Sequence, residues 1–213
     1  MILDLLFPRK CILCRELLEK NETDLCSHCR RNAPEFVPGK NNIPFVAGWT
    51  AVWYYKENVQ KSIVRYKFRN ARSYAQPYAR FLALRIQQMQ VDFDYITWVP
   101  VSFRRKLQRG YDQVELLAKA VSKELGIPLL PTLKKQRHNP AQSGISDAAK
   151  RKANVLGAYK VLPNGNIADK TLLLIDDVIT TGATSSECAK TLLAADAKEI
   201  YCAAVASAHK DRK

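Results

Sequence analysis

Leu172-Leu173-Leu174-Ile175-Asp176-Asp177-Val178-Ile179-Thr180-Thr181-Gly182-Ala183-Thr184 is the stretch on which the fold turns. Its first four residues form a short apolar run, the pattern of a strand buried on both faces of a parallel sheet. The run ends in two adjacent acids. A small, hydroxyl-rich turn follows, and Ser185 to Leu193 reads as a helix. Strand, tight loop and helix start are the parts of a phosphate site, because unpaired N–H groups and the helix dipole both favour an anion there. Gly182 lets backbone approach the anion, and Thr180, Thr181 and Thr184 add hydroxyl donors. Asp176 and Asp177 cannot bind phosphate, but side by side they accept hydrogen bonds from vicinal hydroxyls such as those of ribose. Two solvated acids after a capped strand–turn–helix would be the plainer reading, and the length of the Asp-Asp…Thr-Thr-Gly-Ala-Thr pattern argues against it. A Walker A loop would need Gly-Lys-Ser/Thr, which the chain lacks.

Outward from this stretch the pattern alternates. Phe45 to Tyr55 is rich in β-branched and aromatic residues and reads as a strand or hairpin edge. Helical spacing follows over about Val59–Phe68 and Tyr74–Met89. Arg65-Tyr66-Lys67-Phe68-Arg69 interleaves bases and aromatics, which fits either nucleic-acid contact or an amphipathic helix with solvated charges. Tyr95 to Val101 reads as a strand, Ser102 to Gly110 as a loop with four bases, and Tyr111 to Leu125 as a helix stopped by Gly126. A basic loop after a strand lies where open α/β sheets bind ligands. Lys134 to Ser146 is polar and fits a lid that includes Gln142, Ser143 and Gly144, the last two as hinge material. His138 is its one candidate base, and a lone loop histidine is more often simply exposed. A basic helix over Ala148–Val155 is expected next, then a short strand at Tyr159–Leu162 and a last apolar strand at Glu199–Ser207. Cys188 and Cys202 read as core residues.

Cys11-x-x-Cys14 and Cys26-x-x-Cys29, separated by eleven residues, match a structural Zn(II) site of four thiolates. Protein fills all four positions, leaving none for catalysis. Ala33 to Asn42 is rich in Pro, Gly and Asn, so the expected division is a zinc knuckle with linker at 1–38 and a second domain at 39–213. No apolar run approaches the ~20 residues that span a bilayer. The N-terminus lacks the features of a signal peptide, which points to the cytoplasm.

The net charge is +14, and between Lys61 and Arg109 eleven basic residues face two acids. Such an excess favours a polyanionic partner. Arg65, Arg69, Lys106, Arg109, Lys150, Arg151 and Lys152 are the candidate DNA contacts.

The Asp176–Thr184 loop resembles that of the type I phosphoribosyltransferases, which implies a mostly parallel α/β sheet flanked by helices. The resemblance implies that Val178 to Thr184 hold the 5-phosphate of 5-phosphoribosyl-1-pyrophosphate (PRPP) and that Asp176 and Asp177 hold its ribose. Val101, Ser102, Arg104, Arg105 and Lys67 would serve the pyrophosphate and its Mg²⁺. The paired knuckles, Val99-Pro100-Val101-Ser102, Arg109-Gly110-Tyr111-Asp112-Gln113, Gln142-Ser143-Gly144-Ile145-Ser146 and Arg151-Lys152-Ala153-Asn154-Val155, taken in this order, resemble the ComF (ComFC) family over nearly the whole chain. That resemblance implies a role in natural transformation or DNA uptake, single-stranded DNA as a partner, and a competence helicase or other uptake protein as a further one. Active transfer of phosphoribose to a free base, as in nucleotide salvage, is the alternative. Asp112 stands where members usually carry Asn, and His138-Asn139-Pro140 where they often carry Thr, both near the expected acceptor.

Overall fold

The computed structural model describes residues 8–39, 42–136, 156–163 and 166–208. The expected lid at Gln142–Gly144, His138, and the basic helix with Lys150, Arg151 and Lys152 lie outside the described residues.

A short helix α1 (Ser27–Asn32) closes the knuckle. The main body then runs β1 (Gly48–Tyr54), α2 (Glu57–Phe68), α3 (Ala75–Gln87), β2 (Tyr95–Trp98), α4 (Phe103–Arg109) and α5 (Gln113–Leu125). It continues with β3 (Leu133–Lys135), β4 (Tyr159–Val161), β5 (Thr171–Ile179), α6 (Ala183–Leu193) and β6 (Glu199–Ser207). Four strands pair in the order β1-β6-β5-β2, all parallel, while β3 and β4 form a separate antiparallel ribbon. Ser102–Gly110, expected as a loop, coils into α4, and Gly110 ends it at φ 74°.

Strands β5 and β6 sit in the middle of the sheet and are covered on both faces, which is why they read as unbroken apolar runs. Leu173 and Ile175 pack toward α2, α3 and α5, whereas Leu172 and Leu174 pack toward α6 and the β3–β4 ribbon. The strand does not stop at Ile175. It runs on to Ile179, so both acids lie within it.

The knuckle shares the main core. Cys11, Ile12, Leu13, Leu25, Cys26 and Cys29 belong to one buried cluster with Val59, Ile63 and Tyr78. Arg65 Nη2 donates to the carbonyls of Ile12 and Leu13 (3.0 and 2.6 Å), Ser62 Oγ donates to Ile12 O, and Arg80 forks onto the Asp24 carboxylate. The linker is also seated. Phe36 is 3 % exposed, packs tilted against Trp49 and edge-on to Tyr54, and its N–H donates to Val52 O at 3.0 Å. It covers the outer edge of β1, where free N–H and C=O groups would otherwise invite pairing with another chain. Among the described residues no helix is long and apolar enough to cross a membrane.

Candidate functional site

Successive residues of a strand point to opposite faces, and that decides how the two acids are used. Asp177 follows Leu173 and Ile175 toward α2 and α5. It is 5 % exposed, pairs with Lys67 Nζ at 2.7 Å and accepts from Gln113 Nε2 at 3.0 Å. Gln113 Oε1 is buried with no hydrogen-bond partner among the described residues. Tyr66 Oη donates to Gln113 O at 2.6 Å and Tyr111 Oη donates to Tyr66 O, so α2 and α5 are laced together beneath the carboxylate. Lys67, expected on the pyrophosphate side, is thus held against Asp177.

Asp176 follows Leu172 and Leu174 to the other face. Its Oδ1 accepts from Asp177 N at 2.7 Å, and Lys135 of β3 lies within electrostatic reach of its half-buried carboxyl, as do Tyr159 of β4 and Cys188 of α6. Lys135 Nζ lies 3.3 Å from Tyr159 Oη and 5.1 Å from the centre of that ring. Burial, then the charge of Arg105, pulls the Lys135 ammonium below its ordinary value, opposed by Asp176. Lys135 and Tyr159 thus feel both the Arg105 cation and the Asp176 carboxyl on this side of the sheet. Lys135, Tyr159 and Gln113 were not expected as site residues. A lysine in a polar loop and a tyrosine in a short strand carry no local signal of convergence.

Burial, then the charge of Asp177, pushes the Asp176 carboxyl up to about 8, with Lys67 and Lys135 opposing. A raised carboxyl contributes stability that is complete below its unfolded value near 4 and is lost as pH rises through about 8. Asp176→Asn, which cannot ionise, is expected to melt a few degrees above the unsubstituted chain at pH 9. The gap should close as pH falls toward 4, as read from melting curves across that range.

Thr180 and Thr181 bridge β5 to α6, and Gly182 occupies the N-cap of α6 at φ 72°. Ala183 N donates to Thr181 Oγ1 (3.4 Å) and Ser186 N to Gly182 O (2.8 Å). A Cβ at Gly182 would lie 2.9 Å from Cγ1 of the buried Ile43. Gly182→Ala is expected to cost about 1–3 kcal/mol through the left-handed backbone and this contact, measurable as a lower urea midpoint at unchanged slope. Val101 and Ser102 lead into α4, where Arg104 is exposed and Arg105 half-buried. Asp112 has a structural task. Its carboxylate caps α5, accepting from Val114 N and Glu115 N at 3.0 Å, and ties in Val101 N at 3.2 Å.

The candidate DNA contacts are placed unevenly. Arg65 is turned onto the knuckle carbonyls, and Lys106 pairs with Glu115 at 3.3 Å. Arg109 lies 4.7 Å from the Phe68 ring centre, and Arg69 is exposed.

In the knuckle, the sulfurs of Cys11, Cys14, Cys26 and Cys29 all lie within 4.8 Å of one another, and Cys14 Sγ and Cys26 Sγ are 3.6 Å apart. Four thiolates around one tetrahedral ion with Zn–S near 2.3 Å would stand about 3.8 Å apart, so the donor set fits zinc. Glu22 supports the second knuckle by accepting from Glu19 N and Ser27 N.

Residues 115–213 match the model of the phosphoribosyl transferase domain, and residues 2–40 that of the double zinc ribbon domain. Over 219 residues the chain is 30 % identical to Competence protein F of Haemophilus influenzae, covering 91 % of this chain and 95 % of that protein. The chain belongs to the ComF family. This ComF chain has the type I phosphoribosyltransferase fold with an N-terminal zinc ribbon. It is 29 % identical over 150 residues to Competence protein ComFC of Streptococcus pneumoniae (70 % of this chain, 64 % of that protein). It is 31 % identical over 112 residues to the DNA utilization protein YhgH of Escherichia coli (51 % of this chain, 48 % of that protein). Among solved structures it is similar to the glutamine PRPP amidotransferase of B. subtilis at 23 % identity and TM-score 0.44, covering 65 % of this chain and 30 % of that one.

Proposed function

We propose that this ComF chain binds PRPP with Mg²⁺ at the carboxyl end of β5 and handles single-stranded DNA in the cytoplasm during DNA uptake or utilization, with Zn(II) held structurally by its four cysteines. The observation that carries the reading is the pair Asp176 and Asp177 near the carboxyl end of a central parallel strand, separated only by Val178 and Ile179 from a Thr-Thr-Gly turn and a helix start. Asp176 takes a ribose hydroxyl directly. Asp177 leaves the opposite face of β5, so it reaches the same ribose only by turning from Lys67 toward the strand's end, which frees Lys67 toward the diphosphate. The Thr180–Thr184 turn receives the 5-phosphate, while the half-buried Arg105 adds charge on the diphosphate side. Mg²⁺ supplies charge neutralisation there, held mainly by diphosphate oxygens and water. The names of the relatives, competence and DNA utilization proteins, support the DNA role, as does the charge of +14.

Calorimetric titration of the zinc-loaded chain with PRPP and Mg²⁺ tests the site, and absence of binding heat would overturn it. The DNA role is tested by retardation of single strands, with an affinity that falls steeply with salt. Transfer of phosphoribose to a free nucleobase is the second reading, supported by the match of residues 115–213 to the phosphoribosyl transferase domain. Pyrophosphate released only when a base is supplied would establish it.

A further inference from the structure

Arg65-Tyr66-Lys67-Phe68-Arg69 carries two aromatics, and the fold separates them. Tyr66 is fully buried, while Phe68 is 62 % exposed beneath Arg109. The larger surprise lies on α4. Phe103 and Leu107 are 79 % and 73 % exposed, the two most exposed large apolar side chains among the described residues. Four residues apart, they share one face of the helix. Arg105 and Arg109 occupy the opposite, half-buried face, which leaves Arg104 and Lys106 on either flank of the apolar pair. The helix contains no acid. Lys106 does bond Glu115 at 3.3 Å, but its side chain is 53 % exposed and the pair is exchangeable with solvent.

An occupant of this face must be apolar and flat in its middle and anionic at its margins. A second copy of the chain fails on charge, because it would set the same cations against each other on a molecule of net charge +14. Duplex DNA fails on geometry, since its bases are already stacked away. Single-stranded nucleic acid satisfies both demands, offering a π-face on every base and a phosphate at every step.

We propose that the outward face of α4 is a base-stacking platform for single-stranded nucleic acid, with bases resting on Phe103 and Leu107 and phosphates met by Arg104 and Lys106. The proposal rests on the DNA reading above and assigns it a surface and a mode of contact. Stacking adds affinity that depends on the presence of bases and not on salt. The flanking cations add affinity that depends on salt and not on bases.

The test uses the zinc-loaded full chain and fluorescence anisotropy with two labelled strands of equal length, oligothymidylate and an abasic strand. The unsubstituted chain is expected to bind oligothymidylate about tenfold more tightly than the abasic strand, given ~1–3 kcal/mol per stacked base. Phe103→Ala with Leu107→Ala should abolish that difference while leaving the abasic affinity, the salt slope and the melting temperature unchanged. Phe103→Trp should keep or strengthen it. Arg104→Ala with Lys106→Ala should weaken both strands and flatten the slope of log K against log salt by about 1.4. Equal affinity of the unsubstituted chain for the two strands, or an unaffected Phe103/Leu107 double variant, would overturn the platform while the DNA reading stood. No binding of either strand would overturn both. A dimer in sedimentation that the apolar double variant turned into a monomer would overturn the platform by making this face a contact between copies.

Discussion

Cys26→Ser, or prolonged exposure to a strong chelator, is expected to lower the melting temperature of the entire chain in one cooperative transition. The knuckle is too small to hold its shape without metal, and apparent binding energies of structural zinc sites run to roughly 10–16 kcal/mol. That compares with about 5–15 kcal/mol for the stability of a whole domain. Loss of the metal would not stay local. Ile12 and Leu13 pack in the same buried cluster as Val59 and Ile63, and their carbonyls take up the Arg65 guanidinium and, for Ile12, the Ser62 hydroxyl. Unfolding the knuckle would uncover α2, the helix that also carries Lys67 to Asp177. Calorimetry beside metal analysis gives the check. Well under one zinc per purified chain would count against the site, and two separate transitions would count against the shared core.

Asp177→Ala is expected to do two things at once. It removes the proposed ribose acceptor, so PRPP affinity should fall by roughly a hundredfold, the equivalent of about one good hydrogen bond to a charged group. It also strands its partners, leaving Lys67 without its counter-charge and the 2 % exposed Gln113 without an acceptor for its amide. Breaking a buried pair from one side costs about 3–5 kcal/mol. The two effects separate in the double variant Lys67→Met with Asp177→Leu, where both charges give way to apolar groups. Most of the lost stability should return in that variant, because the desolvation cost disappears together with the pair and only the Gln113 amide still lacks its acceptor, while PRPP binding should stay lost. Chemical denaturation and calorimetric titration of the three proteins settle the matter. Full PRPP affinity in the double variant would remove Asp177 from the binding site.

The parts of the fold legible in the sequence were those with a local cause. Leu172 to Ile175 announces a strand covered on both faces, and Gly126 stops α5 in the left-handed conformation that its position suggests. Cys11, Cys14, Cys26 and Cys29 announce one cluster because ligand spacing is itself local. Ser102–Gly110 has the composition of a loop and coils into a helix. The stretch carries no helix-breaking residue until Gly110, and three bases in a row with a fourth at Arg109 look like loop composition although Arg and Lys are good helix formers. Phe36 was hidden inside a Pro- and Gly-rich linker, and only the open edge of β1 gives it a place to pack.

By itself the sequence determined a parallel α/β body, an acid pair set before a hydroxyl-rich turn, a four-thiolate knuckle and a strong positive charge. Periodicity, turn chemistry and ligand spacing act over a few residues, so a linear reading can reach them. Tertiary structure alone decided the rest. The pleat of β5 sends Asp176 and Asp177 to opposite faces, and only packing says that one meets Lys67 and Gln113 while the other faces Lys135 and Tyr159. Helix α2 buries Tyr66 and exposes Phe68, and it turns Arg65 onto the knuckle instead of outward. Those choices depend on which surface each helix presents to its neighbours, a long-range property that no window of the chain contains.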